Sequence, residues 1–337
     1  MFFKLVIIIN EVINILYCID KNYNPQFNVS LYSILENIDV NVNVHVIHRD
    51  ESDLNFVLKK VLKHKHLKNI KVYKFNKDID HFPNLKNSHV SSATYFRLFI
   101  EDFLPNDLDN ILYLDADVVC ISNPKNTINN VFDNMKNNNN LIGAFTEIHR
   151  DLNSESLFLS LQMKSNNYFN AGVMFIDFKK WIAKGLSEKL QGNIEALASQ
   201  IQFWDQDILN SYFDGDYYQI NNSLNFVINL FYNCDDERNF NFENIKKQNI
   251  FVHFAGSHKP WTPIGSLSST AEIYQEIYRV LFKTKYHITH KWKVNSLKTF
   301  LKAFFDGKIL KLSFPISYLK LFFQSLIADV SLRNRNA

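Results

Sequence analysis

Short apolar runs alternate with longer, mixed segments along the first third of the chain. Val12–Ile19, Val42–Ile47 and Ile70–Phe75 are rich in β-branched and apolar residues, which is typical of buried strands. Between them the pattern predicts one helix capped by Asn28 and a second helix over Asp53–Leu67. The alternation predicts an α/β fold with a mostly parallel central sheet, in which ligands bind at the carboxyl ends of the strands.

The middle of the chain continues this alternation, and several of its predicted strands end in polar residues. A helix that carries Arg97 is predicted over Tyr95–Phe103 and ends before Pro105. Further strands are predicted over Ile111–Cys120, Leu141–Phe145, Tyr168–Phe178 and Ile250–Phe254. Because Asp20 and the Asp115/Asp117 pair both fall at strand ends, they are expected to face the same crevice.

Two carboxylates interrupt the strand Ile111–Cys120, at Asp115 and Asp117. Like charges at the end of a buried strand repel each other unless a cation or a shared proton relieves them. Oxygen donors at the mouth of a sheet suit a hard divalent metal, and such a metal suits a phosphate-bearing substrate. The alternative is a polar turn in which both carboxylates are simply solvated.

His253 lies on a short predicted strand just before a glycine turn. With Asp115 and Asp117 it would complete an Asp/Asp/His set, and imidazole beside carboxylates favours Mn²⁺ over Ca²⁺. Gly256 would let backbone N–H groups approach a phosphate, and Lys259 would supply a positive charge. Taken alone, these features also fit a core histidine and an ordinary turn.

Two more polar segments fit a sugar-binding pocket. Asn170-Ala171-Gly172 combines an amide, which hydrogen-bonds sugar hydroxyls, with small residues that leave room for a ligand; a strand that begins with a bulge is the alternative. Asp205-Gln206-Asp207 is interpreted with Asp205 and Gln206 on the substrate side, although acids also favour a helix N-terminus.

Composition supports a folded chain in a reducing compartment. The 337 residues are 46% hydrophobic, and 8 glycines and 7 prolines leave little room for long linkers. The three cysteines, Cys18, Cys120 and Cys234, are isolated and predict no disulfide framework. No apolar run reaches the roughly eighteen residues of a membrane span. Phe2–Ile9 is apolar but has no small-residue cleavage site after it, so a signal peptide is disfavoured.

Charge is distributed unevenly along the chain. Between Lys283 and Lys320, nine lysines and one acid give a net charge of +8. Since the whole chain carries +3, the remainder carries −5. This segment contains an i, i+3, i+4, i+7, i+8 series of apolar residues, namely Leu297, Phe300, Leu301, Phe304 and Phe305. The pattern predicts a basic amphipathic helix on an anionic membrane surface, against the alternative of a helix that packs on the domain. We therefore predict a catalytic domain over residues 1–285 and a membrane-associating extension over 286–337.

Taken together in order, these segments resemble the family 8 retaining glycosyltransferases, and among them the bacterial lipopolysaccharide core glucosyl- and galactosyltransferases. The resemblance extends from about residue 12 to about residue 265. It is carried by ordered blocks at Leu16–Tyr23, Ser92–Leu98, Asp115–Asp117, Tyr168–Val173, Asp205–Asn210 and His253–Trp261.

The resemblance implies a GT-A fold, the single Rossmann-like domain of nucleotide-diphospho-sugar transferases. It implies Mn²⁺, with Mg²⁺ as the alternative, bound by Asp115, Asp117 and His253 and bridged to the diphosphate of UDP-glucose or UDP-galactose. The residues implied to bind the nucleotide are Asp20, Asn22, Tyr23, Asp115, Ala116, Asp117, Gly256 and Lys259. Those implied around the donor sugar are Arg97, Asn170, Ala171, Asp205 and Gln206.

One residue of the resembling segments departs from the family pattern, and one falls on the acceptor side. Lys21 replaces a second aspartate that family members carry after Asp20, which weakens the implied uracil contact at that position. Glu147 matches an acid that faces the acceptor in relatives. The implied acceptor is a lipid-linked lipopolysaccharide core oligosaccharide at the inner face of the bacterial cytoplasmic membrane; no nucleic acid partner is expected.

The implied chemistry is transfer of a hexose with formation of an α linkage. Cleaving the sugar–UDP bond places negative charge on the diphosphate, which a divalent metal and Lys259 stabilise. Gln206 is an amide and a poor nucleophile, so we favour same-face attack over a covalent intermediate. Gln206 and Asp205 are the predicted catalytic residues, and the leaving phosphate accepts the proton of the acceptor.

Two other classes of protein share part of this pattern. A haloacid-dehalogenase-type phosphatase would use Asp115 as a phosphorylated nucleophile, but that class gives no reason for the Asn170-Ala171-Gly172 or His253–Trp261 segments. A non-catalytic protein that binds nucleotide sugars at a membrane surface is the third interpretation.

Overall fold

The computed structural model describes residues 12–79, 82–83, 91–147, 154–230, 242–289 and 294–335. The predictions for Phe2–Ile9 and Cys234 lie outside these residues. The strands are β1 (Val12–Ile19), β2 (Asn41–His48), β3 (Leu67–Lys74), β4 (Asn110–Leu114), β5 (Val118–Cys120), β6 (Ile142–Thr146), β7 (Phe169–Asp177), β8 (Tyr218–Gln219), β9 (Phe226–Val227) and β10 (Phe251–His253). The α-helices are α1 (Asn24–Asn37), α2 (Lys59–Leu62), α3 (Ile100–Phe103), α4 (Lys125–Asn137), α5 (Ser154–Ser160), α6 (Phe178–Ala183), α7 (Leu186–Leu197), α8 (Trp204–Phe213), α9 (Phe242–Gln248), α10 (Glu272–Phe282), α11 (Val294–Phe305) and α12 (Pro315–Arg335).

The described strands form a large sheet and a small one. The large sheet has the order β3-β2-β1-β4-β7-β6-β8, in which only β7 runs antiparallel to its neighbours. The small sheet has the order β5-β10-β9, and β10 runs antiparallel to β5. The mostly parallel central sheet confirms the prediction from the apolar pattern. The two sheets meet at Asp115–Asp117, where β4 leaves the first and β5 enters the second.

Strand β4 shows why its sequence is a continuous apolar run. Ile111 and Tyr113 point into the core on one face of the sheet, whereas Leu112 and Leu114 point into the core on the other. A strand that is buried on both faces needs apolar residues at every position. The run therefore ends where the sheet edge opens, and the first polar residue there is Asp115.

The helix predicted over Asp53–Leu67 is wrong, because only α2 forms there and β3 already begins at Leu67. Asn28 gives the physical reason. It lies inside α1 rather than at its N-terminus, and its side chain bonds to the neighbouring loop: Nδ2 donates to the carbonyl of Phe56 (2.9 Å) and Oδ1 accepts from Leu58 N (2.8 Å). These bonds fix residues before α2 in a turn, which an uninterrupted helix cannot provide.

The helix predicted over Tyr95–Phe103 forms as a 3-10 helix, Ser92–Phe99, that continues into α3. Arg97 turns inward, and its Nε donates to the carbonyl of Thr94 (3.2 Å). In an α-helix that carbonyl would accept from the backbone four residues later. The side chain thus competes with regular α-helical bonding.

The C-terminal extension is helical, as predicted, and has its own small core. Phe300 of α11 stacks on Phe322 of α12, and Tyr318 belongs to the same cluster. The hydroxyl of Tyr318 donates to the carbonyl of Pro263 (3.1 Å), which ties the extension to the body. None of the helices described here combines the length and apolar character needed to cross a membrane. The boundary at residue 285 stays a prediction.

Candidate active site

Strand pairing brings the predicted Asp/Asp/His set together. The Asp115–Asp117 turn follows β4, and the antiparallel pairing of β5 with β10 places His253 opposite Val118. One ligand atom from each of Asp115, Asp117 and His253 lies within 4.8 Å of the others. Residues that are far apart in sequence thus converge on one point at the carboxyl end of the central sheet.

These three side chains fit a divalent cation. Asp117 Oδ1 is buried and has no hydrogen-bond partner among the described residues, although it lies 3.3 Å from His253 Nε2. A buried acceptor without a donor is unfavourable, and a cation between the two atoms would satisfy both. Two carboxylates and an imidazole are also a donor set that suits Mn²⁺.

Lys259 forms an ion pair with the other carboxylate oxygen of Asp117. Its Nζ lies 2.5 Å from Asp117 Oδ2 and donates also to the carbonyl of Phe254 (2.6 Å). Burial raises the pKa of Asp117, but its charged surroundings, chiefly the Lys259 ammonium, lower it to below its ordinary value. Asp117 is therefore ionised at neutral pH, as a metal ligand must be.

Arg97 links the metal candidates to the predicted sugar pocket. Its Nη2 lies 2.9 Å from Asp115 Oδ1, its Nε lies 2.7 Å from Asp205 Oδ2, and its Nη1 donates to the carbonyl of Ala171 (2.5 Å). Burial raises the pKa of Asp205 to about 6, against the opposing effects of Arg97 and of a hydrogen bond from Thr94. The guanidinium holds the two carboxylates at fixed positions on one wall of the cleft.

The acids of Asp205-Gln206-Asp207 play different parts. Asp207 is fully buried, and its carboxylate accepts from Gln202 N (2.7 Å), Phe203 N (2.7 Å) and the Tyr168 hydroxyl (2.5 Å). These bonds anchor the start of α8, so Asp207 has a structural role. Gln206 faces the cleft, and its Oε1 accepts from Ala171 N (3.0 Å).

Gly172 leaves room for a protein side chain, whereas the sequence suggested room for a ligand. A Cβ atom at this position would lie 2.3 Å from Cε1 of His253. The imidazole therefore packs directly over the glycine backbone. Gly256 is constrained differently, because its φ of +79° favours glycine.

Asn170 and Glu147 meet at the far end of the site. Asn170 Nδ2 donates to Glu147 Oε1 (2.7 Å), and Asn170 Oδ1 accepts from Gly172 N (2.9 Å) and from Asn225 Nδ2 (3.0 Å). Asn225 also lies 3.0 Å from His253 Nδ1 through its Oδ1. Sequence reasoning missed Asn225, since one asparagine among several, between Leu224 and Phe226, forms no recognisable motif.

A cleft of about 310 Å³ contains most of the predicted site. The predicted residues that line it are Tyr23, Arg97, Asp115, Ala116, Asp117, Asn170, Ala171, Asp205, Gln206, His253, Gly256 and Lys259. Asp20, Asn22 and Glu147 lie outside the lining. Asp20 contacts it indirectly, because its carboxylate accepts from Ser91 and from Asn22 N. The lining residues that the sequence did not single out include Cys18, Thr94 and Trp204.

A candidate cation site at the carboxyl edge of a mostly parallel sheet, beside a polar cleft, fits the arrangement of a nucleotide-diphospho-sugar transferase. The chain belongs to glycosyl transferase family 8, whose sequence model matches residues 14–265, more than half of its length. It is therefore a glycosyltransferase, and the resemblance stated from the sequence is confirmed. The phosphatase interpretation loses its support.

Individual relatives are similar over most of the chain. A lipopolysaccharide 1,2-glucosyltransferase of Escherichia coli K12 is 29% identical, over 75% of this chain and 73% of that protein. A lipopolysaccharide 1,3-galactosyltransferase of Salmonella typhimurium is 28% identical, over 75% of this chain and 74% of that protein. The crystal structure of the galactosyltransferase LgtC matches with a TM-score of 0.65 at 23% identity, over 85% of this chain and all of that one. This likeness confirms the GT-A fold.

Proposed function

We propose that the protein is a metal-dependent retaining hexosyltransferase of lipopolysaccharide core synthesis. It transfers glucose or galactose from the UDP-sugar to a lipid-linked core oligosaccharide and forms an α linkage. The observation that carries this proposal is the convergence of Asp115, Asp117 and His253, with the buried Asp117 Oδ1 facing His253 Nε2. The lipopolysaccharide enzymes among its relatives support the choice of acceptor.

Mn²⁺, or Mg²⁺ in its place, bound by Asp115, Asp117 and His253 would neutralise the charge that develops on the departing diphosphate. Lys259 lies beside Asp117 and lines the cleft, so its ammonium is positioned to donate to a phosphate oxygen. Gly256 exposes its backbone to the same cleft. These residues bind the leaving group.

The uridine would bind at the other end of the cleft, near Tyr23. Asp20 begins the short 3-10 helix Lys21–Tyr23 and accepts from Asn22 N (2.8 Å), which fixes the direction of its carboxylate. Tyr23 packs edge-on against Trp261 (6.3 Å between ring centroids). Asp20, Asn22 and Tyr23 are our proposed nucleoside contacts.

The donor sugar would lie between Arg97, Asn170, Ala171, Asp205 and Gln206. Gln206 Oε1 is held by Ala171 N on the wall of the cleft, where an amide oxygen stabilises positive charge at the reacting carbon. Since an amide is a poor nucleophile, we favour attack on the face from which UDP leaves. Glu147, held by Asn170, is proposed to face the acceptor.

Purified protein is expected to hydrolyse UDP-glucose or UDP-galactose slowly in the presence of Mn²⁺, and to stop when EDTA removes the metal. Assays across a panel of UDP-sugars measure this, and p-nitrophenyl phosphate serves as a control that should not turn over. A gene deletion should remove one hexose from the lipopolysaccharide core. Metal-independent hydrolysis would contradict the cation site, whereas an unchanged glycan would contradict only the acceptor.

We propose further that the extension over residues 286–337 docks on anionic membranes at the inner face of the cytoplasmic membrane. One side of α11 packs on the protein in the ordinary way, because Phe300 is buried against Phe322. The other side does not, because Leu301, Phe304 and Phe305 are exposed, as are Leu310 and Ile316 beyond the helix. Apolar side chains among lysines suit a lipid surface with anionic headgroups.

The double substitution Phe305→Ser with Ile316→Ser is expected to release the protein from vesicles that contain phosphatidylglycerol. Phe305 is 81% exposed and Ile316 is 82% exposed, so neither change disturbs the core. Co-sedimentation measures binding. The matched control is Leu159→Ser, a 73% exposed leucine on α5, which should bind as the original does. Equal binding by all three proteins would contradict the membrane surface.

A further inference from the structure

A chain of buried polar side chains runs behind the cation site. Asn225 lies one residue before β9, whose Val227 pairs with His253 of β10. Its side chain is fully buried, with a relative exposure of 0%. Through its amide it joins His253 on one side to Asn170 on the other.

One backbone group, Gly172 N, fixes the direction of the first hydrogen bond in this chain, and the directions of the others follow from it. Gly172 N can only donate, and it donates to Asn170 Oδ1 (2.9 Å), so this atom is the carbonyl oxygen. Asn170 Nδ2 accordingly donates to Glu147. An oxygen at Asn170 requires the NH₂ group of Asn225 opposite it, which leaves the Asn225 oxygen toward His253.

The tautomer of His253 follows from this order. An accepting oxygen at Asn225 requires a proton on His253 Nδ1. The neutral ring then carries its lone pair on Nε2, the atom that lies 3.3 Å from Asp117 Oδ1. This is the tautomer that can bind a cation, and the opposite tautomer would present an N–H there.

We propose that Asn225 is a positioning residue, which fixes the metal-binding tautomer and orientation of His253 and links it through Asn170 to Glu147. The proposal deepens the metal-dependent transfer proposed above and rests on it. Gly172 confines the ring from one face, as the close approach of its backbone shows. Asn225 sets the rotation of the ring within that space.

The Asn225 side chain accepts a hydrogen bond from His253 and donates one to Asn170. Two substitutions test these two hydrogen bonds separately. Asn225→Asp keeps an acceptor for His253 Nδ1 but has no donor for Asn170. Asn225→Leu has the same branched shape and number of side-chain heavy atoms, and provides neither. Groups that orient a metal-bound histidine typically change metal affinity by about 10- to 100-fold when they are removed.

The test measures Mn²⁺ binding to the enzyme without UDP-sugar, by electron paramagnetic resonance of free Mn²⁺. We expect Asn225→Leu to weaken binding by about 10- to 100-fold. Asn225→Asp should bind Mn²⁺ within a few-fold of the original enzyme but lose transfer activity, since Asn170 and Glu147 are released. Unchanged Mn²⁺ affinity in Asn225→Leu would overturn the proposal.

A matched control is available just before the neighbouring strand of the small sheet. Asn249 is also buried and precedes β10, but its side chain donates to the carbonyl of Ile245 (3.0 Å) and does not contact the site. Asn249→Leu should leave Mn²⁺ affinity unchanged. If it weakens binding as much as Asn225→Leu does, the effect is general loosening of the small sheet and the proposal fails.

A second readout separates this proposal from the proposed function. The ¹⁵N resonances of the His253 ring, assigned by their loss in His253→Gln, report the tautomer without any metal or substrate. We expect a protonated Nδ1 in the original enzyme and in Asn225→Asp. A protonated Nε2 would overturn the role of Asn225 even if transfer is metal-dependent. A correct tautomer without Mn²⁺ binding would instead contradict the proposed function.

Discussion

Replacing Asp117 with asparagine is expected to lower metal-stimulated transfer by about a thousandfold. The substitution removes the charge of a proposed ligand, and a cation that stabilises a leaving group supplies several kcal/mol, or about tenfold per 1.4 kcal/mol. Steady-state transfer from the UDP-sugar measures the loss. Asp133→Asn, at an exposed position on α4, serves as the control and should retain full activity.

The same substitution has a second consequence for stability. Lys259 is buried and pairs with Asp117 Oδ2, so asparagine leaves the ammonium without its counter-charge. Breaking a buried pair in this way costs about 3–5 kcal/mol. Thermal unfolding of the metal-free protein should show it. Because activity is assayed well below the transition, the two effects are separable.

Full transfer activity in the Asp117→Asn variant would contradict the metal site. Residual transfer above one tenth of the original would show that Asp117 is not a ligand. If instead transfer is lost while the variant still restores the cellular phenotype of a deletion strain, the protein would act by binding alone, as in the third interpretation. The variant therefore distinguishes catalysis from a non-catalytic role at the membrane.

The Asp115–Asp117 pair was predictable because its signal is local. An apolar strand buried on both faces must end where polar residues appear, and parallel neighbours place that end at the ligand-binding edge. The position of His253 is not local, since it depends on the pairing of β5 with β10 across more than a hundred residues. The sequence alone offered His253 as a candidate third ligand, and the family resemblance, not periodicity, selected it.

Side-chain networks account for the errors and omissions. The position of Asn28 before an apolar series predicts a helix cap, but its amide hydrogen-bonds to Phe56 and Leu58 instead. These two residues lie in a loop, although the apolar periodicity of Asp53–Leu67 predicts a helix there. Asn225 carries no pattern at all, because its significance lies in contacts with Asn170 and His253. Local propensity describes backbone preferences, and such contacts between distant side chains override them.

Gly172→Ala is expected to displace His253 and to destroy the cation site without removing any of its ligands. The new Cβ would lie 2.3 Å from Cε1 of the ring and 2.9 Å from each ring nitrogen, far inside normal contact. His253 is itself buried, so the ring must rotate or β10 must shift. Overpacking of this kind costs about 1–3 kcal/mol in stability. We expect Mn²⁺ affinity to fall by at least about tenfold.

Gly192→Ala makes the same chemical change where nothing opposes it. Gly192 lies within α7 at an exposed position, and an added Cβ meets no atom within 4 Å. Alanine there should stabilise the helix by up to about 1 kcal/mol and leave Mn²⁺ affinity unchanged. Urea unfolding and Mn²⁺ titration compare the two variants. Since Gly172→Ala retains Asp115, Asp117 and His253, loss of binding would show that ring placement limits the site, and normal binding would refute it.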